Sequence, residues 1–353
     1  MDEQRQMPRY RNSRGPRLRS LQRLILLLLP GILVGCSIFQ RPEPYAPFIL
    51  PTPAPPTAPA ATATAAPVCG GPANMFILLV GSDSRANNYY AGLADSIRVV
   101  RVDFVNPGLM IVAFQRDLYV EIPGISSHGG ITHGKLNQAY LYGNPGFGYY
   151  DGPGQGPGLL TATLAQNFGA RVDHYVAINL QSFVRIVDAL GGIDIDLPSP
   201  VDGRSNASHS RNLFFPAGKQ HLDGYRTMLL ARLRPNGDLA RSDVENLILQ
   251  ALAARILAPN SLPQMPHLIE SLYTSVQTDL NADDIARLLC LGYLLDPQKI
   301  SFVDFPPQLF TGSRVQDPVL GYTFVWDVDF NILRAYLQYF NQGEWPATPP
   351  AAP

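Results

Sequence analysis

From residue 74 onward the apolar residues come in short, dense runs punctuated by Gly, Pro and Asn, a rhythm missing from the chain before it. Met75–Gly81 (MFILLVG) is a continuous apolar run ending in Gly, the pattern of a strand buried on both faces. Ile97–Phe104 and Met110–Phe114 are two further strands separated by the turn Asn106-Pro107-Gly108, and His174–Asn179, Ile193–Leu197 and Ile300–Phe305 read the same way. Helical spacing marks Leu159–Phe168, Gln181–Leu190, Asp223–Arg234, Leu239–Ala258 and Phe330–Phe340. Gly191-Gly192 closes the second of these, since Gly takes the left-handed position after a helix. Asn281 or Asp283 can cap one more helix, running to about Leu295. Strands and helices mixed throughout, with no repeat and no second shift of composition, predict one α/β domain over residues 74–342, an α-β-α sandwich whose central mixed sheet is flanked by helices.

The first 73 residues have a different character. Seven Arg against Asp2 and Glu3 give residues 1–23 a net charge of +5, so the rest of a chain whose total is −1 carries −6. The segment 24–40 follows, led by the sixteen-residue apolar run Leu24–Phe39. That is short of the ~20 residues that span a bilayer and fits the basic and apolar regions of an export signal. Leu33-Val34-Gly35-Cys36 looks like a bacterial lipobox, in which Cys36 would receive lipid; an uncleaved single-pass anchor is the other reading. Both keep the Arg-rich end on the cytoplasmic side and place the domain outside the membrane, held to it. Residues 41–73 form a linker whose middle, 51–67, is only Pro, Ala and Thr, a solvated spacer that would extend to roughly 100 Å at ~3.1 Å per residue. The Pro/Ala bias returns at 343–353, predicting a disordered tail.

Charge and cysteine usage narrow the class. The mildly acidic domain has no basic excess for nucleic acid. Only three Lys occur (Lys135, Lys219, Lys299), so positive charge is almost all Arg, whose planar fork suits phosphate oxygens. If Cys36 is lipidated, Cys69 and Cys290 remain, either as a disulfide in an oxidising compartment or with Cys290 as a buried helical thiol. No Ser-His-Asp order or zinc spacing stands out, and His128 and His133 lie in a Gly-rich loop.

Five short motifs carry candidate chemistry. Gly81-Ser82-Asp83-Ser84-Arg85 leaves the first buried strand, where α/β sheets place ligand groups. Ala94-Asp95-Ser96 precedes the second strand; two carboxylates at neighbouring strand ends can share a hard cation such as Mg²⁺, whose open positions take phosphate oxygens. Arg116-Asp117 follows the third strand, Lys135-Leu136-Asn137-Gln138-Ala139-Tyr140 comes next, and Arg232, Arg234, Asp238 and Arg241 cluster at a helix junction. Taken singly, the first two read more readily as surface loops with solvated acids, and the Arg series as a solvated helix face with Asp238 and Arg241 as an i,i+3 ion pair.

In order and spacing, GSDSR, ADS, RD after a strand, KLNQAY, DHYVAINL with VDALGGIDIDLP, and HLDG followed by RLR and DLAR resemble the LytR-CpsA-Psr family from about Asn74 to Gln342. The resemblance implies a phosphotransferase that takes a polyprenyl-pyrophosphate-linked glycopolymer and moves its glycosyl phosphate to a sugar hydroxyl of the cell wall. It implies Asp83 and Asp95 as Mg²⁺ ligands, and Arg85, Arg116, Arg232, Arg234 and Arg241 as the diphosphate grip. Arg116, Asp117 and Asp238 would be catalytic, with Asp238 orienting an Arg, and Lys135 and Asn137 would belong to the same site. Its partners would be the lipid-linked glycopolymer, a wall glycan acceptor and the membrane, with the lipid in an apolar tunnel. Two departures stand out: Gln115 replaces the Pro usual before Arg-Asp, and Val244-Glu245 replaces an Arg-Gln pair, so that one expected Arg is lost and an acid sits beside its place. The alternatives are a non-catalytic polyprenyl-lipid-binding envelope protein, prompted by Val244-Glu245, and a polyprenyl-pyrophosphate hydrolase with water as acceptor.

Overall fold

The apolar run after residue 74 becomes the central strand β1 (Asn74–Ser82), and its alternation decides the architecture. The computed structural model describes residues 65–84, 89–204, 213–233, 238–258 and 276–350, and of 238–242 the backbone alone. The basic segment 1–23, the segment 24–40 with Cys36, and the linker up to residue 64 lie outside the described residues.

After β1 come β2 (Ala94–Asp103), β3 (Gly108–Phe114), β4 (Tyr119–Glu121) and β5 (His133–Lys135). Helices α1 (Leu136–Gly143) and α2 (Gln155–Phe168) lead to β6 (His174–Asn179) and α3 (Leu180–Ala189). The strands β7 (Ile193–Leu197), β8 (Val201–Asp202), β9 (Phe214–Phe215) and β10 (Gly218–Leu222) precede α4 (Gly224–Arg232) and α5 (Asp238–Leu257). The chain closes with β11 (Val276–Thr278), α6 (Ala282–Leu294), β12 (Ile300–Asp304), the hairpin β13 (Thr311–Asp317) and β14 (Gly321–Asp327), and α7 (Phe330–Gln342). The main sheet runs β11-β6-β1-β2-β3-β12. It is mixed: β1 pairs antiparallel with β2 and parallel with β6, and β3 pairs antiparallel with β2 and parallel with β12.

Because successive strand residues face opposite sides, both faces need a cover. Phe76, Leu78, Val80, Val99 and Val112 point into one core with α1, α2 and α7. Met75, Ile77, Val100, Val102 and Ile111 point the other way, against α6. Beside α6, Phe183, Ile186, Val187 and Leu190 of α3 meet α4, α5, β7 and β10 in a further apolar cluster. This is the predicted sandwich. Buried side chains such as Leu78 and Val112 each contribute about 1.5–3 kcal/mol. Local signals hold at the helix ends: the Asn179 side chain accepts from Ser182 N–H, Asn281 caps α6, and Gly191 and Gly192 have φ of 76° and 89°.

Two boundaries differ from expectation, and one open question closes. The linker ends before residue 73, since the Val68 N–H donates to Phe104 O and Val68 and Cys69 pack beneath the sheet. Cys69 is joined to Cys290 with Cα atoms 5.8 Å apart, which settles the cysteine question for the disulfide. The segment 343–353 does not start as a disordered tail, because Trp345 packs on Phe305, Tyr336 and Phe340 and so extends the core past α7.

Candidate functional site

A slip in strand pairing builds the site. Along β1 and β2, Gly81 pairs with Ser96 but Ser82 pairs with Ala94, so Asp95 is left over as a bulge. Bulges re-aim side chains, and this one resets the alternation. Ala94 and Ile97 both face the α1–α2 core, while Asp95, Ser96 and Arg98 face the opposite side. There they meet an apolar cavity of ≈ 170 Å³ between the sheet and α3, α4 and α5, lined by Leu79, Val176, Ile178, Phe183, Met228, Ile248 and Leu249, with Asp95, Arg232 and Glu245 also in its wall.

Asp83 sits at the exit of β1 and is tied to the start of β2. Its N–H donates to Leu93 O, and its Oδ1 accepts the Leu93 N–H at 2.7 Å. Since Leu93 is two residues from Asp95, one short loop holds the two carboxylates that a metal would use. Among the described residues no group of three His, Cys, Asp or Glu forms a metal cluster. A pair of carboxylates is still a fit donor set for Mg²⁺, which is commonly held by one or two carboxylates with substrate oxygens and water.

A chain of charges orients Arg116. Its Nη1 pairs with Asp95 Oδ1, its Nε donates to Asp117 Oδ2 at 3.1 Å, and Lys135 Nζ reaches Asp117 Oδ1 at 2.8 Å. Asp117 is 5% exposed and grips both cations, so it acts on Arg116 rather than facing solvent. The backbone locks the same unit: Leu136 N–H donates to Leu118 O, Asn137 N–H to Arg116 O, and Lys135 N–H to Gln138 Oε1. That explains KLNQAY, whose residues open α1 and clamp the Arg-Asp turn. Asn137 itself is 4% exposed and its Oδ1 lacks a partner among the described residues.

Arg232, the last residue of α4, is exposed and lines the cavity beside Asp95. Asp238 and Arg241 fall in the first turn of α5, where only the backbone is described. Arg85 and Arg234 lie outside the described residues. Thus Asp95, Arg116, Asp117 and Lys135 are joined in one chain of contacts, Arg232 shares the cavity wall with Asp95, and Asp83 is linked to Asp95 through Leu93.

The sequence reading missed a polar network under the cavity. Arg98 Nη2 pairs with Glu245 Oε2 at 3.3 Å, Ser96 Oγ–H donates to the same oxygen at 2.8 Å, and Arg98 Nη1 donates to Asn246 Oδ1 at 2.6 Å. Asn246 Nδ2 then donates to Asp304 on β12 at 2.9 Å. Burial holds the Asp304 carboxyl above its ordinary range, opposed by the Asn246 hydrogen bond and by Arg98. Glu245, the acid where the family resemblance expects Gln, is therefore countered by an Arg from β2. Val244 turns into the apolar α3–α5 cluster. A warning was present in the sequence: Arg98 interrupts an apolar strand, and a charge buried there needs a partner.

Known proteins share this fold. The crystal structure of Bacillus subtilis TagV superposes with a TM-score of 0.58 at 24% identity, covering 77% of this chain and 98% of that one. A structure described as TagT bound to LI-WTA gives 0.54 at 17% identity, covering 76% and 90%. In sequence, the polyisoprenyl-teichoic acid–peptidoglycan teichoic acid transferase TagV of Bacillus subtilis is 28% identical over 207 residues, covering 58% of this chain and 49% of the relative. TagU of Enterococcus faecalis, which bears the same description, is 27% identical over 217 residues, covering 60% and 63%. The chain thus spans about half to three-fifths of the length of these curated relatives. The profile of the LytR_cpsA_psr family matches residues 69–324, which take in β1, the Asp95 bulge, the Arg116 clamp and the three cavity helices, and on that match the chain belongs to the LytR_cpsA_psr family.

Proposed function

We propose that the chain is a glycopolymer phosphotransferase, moving a glycosyl phosphate from a polyprenyl-pyrophosphate carrier to a sugar hydroxyl of peptidoglycan, as the printed names of its relatives describe for them. The observation that carries this reading is the apolar cavity with Asp95 and Arg232 in its wall, beside the Asp95–Arg116–Asp117–Lys135 chain. An isoprenoid tail needs an apolar slot, and its diphosphate needs cations at the slot's end. Arg116, pre-aimed by the buried Asp117, gives that charge without reorganisation at the moment of reaction. Arg232 adds a second guanidinium, in the cavity wall. In the transfer, an acceptor oxygen bonds to the phosphorus nearer the sugar, the bridging P–O bond breaks toward polyprenyl phosphate, and the hydroxyl proton is lost to a site carboxylate or water. Asp83 and Asp95 would hold Mg²⁺, which when bound neutralises diphosphate oxygens.

We further place the domain outside the membrane and tethered to it, a position the Cys69–Cys290 disulfide supports because such bonds persist in oxidising compartments. Lipid labelling of wild type against Cys36→Ala decides between a lipoprotein and a single-pass anchor. The activity is tested with purified full chain, a polyprenyl-diphosphate glycan and peptidoglycan fragments. Transfer should occur with Mg²⁺, fall with chelation, and drop by orders of magnitude in Asp83→Ala and Arg116→Ala, since a phosphate-stabilising Arg contributes ~10³ or more in related chemistry. Donor bound but unconverted by wild type refutes the transferase and leaves a lipid-binding protein; release of glycosyl phosphate without an acceptor points to the hydrolase.

A further inference from the structure

Helix α6 breaks the usual rule for a surface helix. Its inner side packs Leu288 and Leu291 beneath the sheet, near Leu79 and Val176, which also line the cavity. Its outer side should be polar. Instead the exposed positions are Ala282, Asp283, Ala286, Leu289, Cys290, Tyr293 and Leu294, and all but Asp283 are uncharged. Leu289 is 42% exposed, Leu294 56% and Tyr293 77%. The face continues onto α5, where Ile256 is 38% exposed and Leu257 lies against Gly292.

We infer that this α5–α6 face rests on the lipid bilayer, laying the cavity beside the membrane that carries the donor. The inference rests on the transferase reading for the donor's location, and on three observations for the contact. First, Cys290 on this helix is bonded to Cys69, so the chain arriving from the apolar segment 24–39 is covalently fixed to this side of the domain. Second, the side chains are those of an interfacial surface: aliphatic groups flanking a phenol that can keep its hydroxyl at headgroup level. Third, Arg287, whose side chain is 37% exposed on this helix, is paired with Asp284 at 3.0 Å, so its charge is neutralised beside the apolar patch. Asp283, Asp296 and Lys299 stand exposed near its two ends and leave no net positive charge there, so the attraction is apolar rather than a matter of anionic headgroups. Docking is therefore insensitive to salt and to lipid charge.

The test uses the full chain in zwitterionic liposomes containing a brominated phosphatidylcholine. Tyr293→Trp should gain a fluorescence component that the bromolipid quenches, whereas Tyr322→Trp, at a position 69% exposed on β14, should not. Equal behaviour of the two variants overturns the inference. Leu289→Asp combined with Leu294→Asp should lower transfer from a bilayer-embedded donor several-fold, with transfer from a short-chain, water-soluble donor unchanged. Loss from both donors means a folding defect unless the melting temperature holds; with an unchanged melting temperature it overturns the inference. A dimer in detergent that the double variant dissolves assigns the face to a second copy and likewise overturns it. Quenching without any transfer sinks the transferase reading and leaves the membrane contact standing.

Discussion

Replacing Arg98 with Met is the sharpest structural test of the site's foundation. Met keeps most of the aliphatic bulk and removes a guanidinium from a side chain 3% exposed. Glu245, 14% exposed, keeps the Ser96 hydroxyl and a further contact but loses the Arg98 guanidinium at 3.3 Å, and Asn246 loses its donor at 2.6 Å. Deleting one partner of a buried pair costs about 3–5 kcal/mol, because a charge is left in low dielectric. Retained packing puts the expected loss near the lower end, ~3 kcal/mol, or a fall in melting temperature of roughly 6–12 °C for a domain of this size. The companion Arg98→Met/Glu245→Gln removes both charges together, and such neutral replacements are often nearly free, so most of the loss should return. A double-mutant cycle read by calorimetry then gives a large favourable coupling. If the double variant is as unstable as the two singles summed, or if Arg98→Met melts with wild type, the pair is not what fixes α5 against β2. The departure at Val244-Glu245 would then have no compensation in this fold.

Two further outcomes follow from the same contacts. Cys69→Ser should destabilise the domain by up to about 5 kcal/mol on the chain-entropy account, because the bond closes a loop with a sequence separation of 221; a thermal melt indistinguishable from wild type would remove that role. Asp304 has a folded-state pKa above its ordinary 3.8, so between those values the folded chain holds a proton that the unfolded chain releases. Stability from this group is present below 3.8 and declines as pH rises through the window, so wild type should lose melting temperature relative to Asp304→Asn over that rise; a gain refutes the assignment.

Much of this was legible because it depends on local rules. The run Met75–Gly81 had to be a strand buried on both faces, and Asn281, Asn179 and Gly191-Gly192 had to end helices, because those residue types satisfy orphan backbone groups or tolerate positive φ. The motifs around Asp83, Asp95, Arg116, Lys135 and Arg232 were visible as residues, and five of them carry contacts or wall positions in one neighbourhood. What was not legible depends on pairing at a distance. The short strands β4, β5, β8, β9 and β11 carry too few residues to show a period, the mixed polar residues of the β13–β14 hairpin give no dense apolar run, and all of them form because a neighbour offers a ladder. Trp345 sits in a Pro/Ala-biased tail, and only the rings of Phe305, Tyr336 and Phe340 make it part of the core. Glu245 shows the limit most clearly. In sequence it is an acid intruding on a phosphate site, 147 positions from the Arg98 that neutralises it. Nothing local couples the two; the sheet does, by placing β2 under α5, and the bulge at Asp95 does, by setting which side Ser96 and Arg98 face. A substitution that reads as damage along the chain is an acid paired with a buried Arg across the fold, and the site is to be judged from the pair.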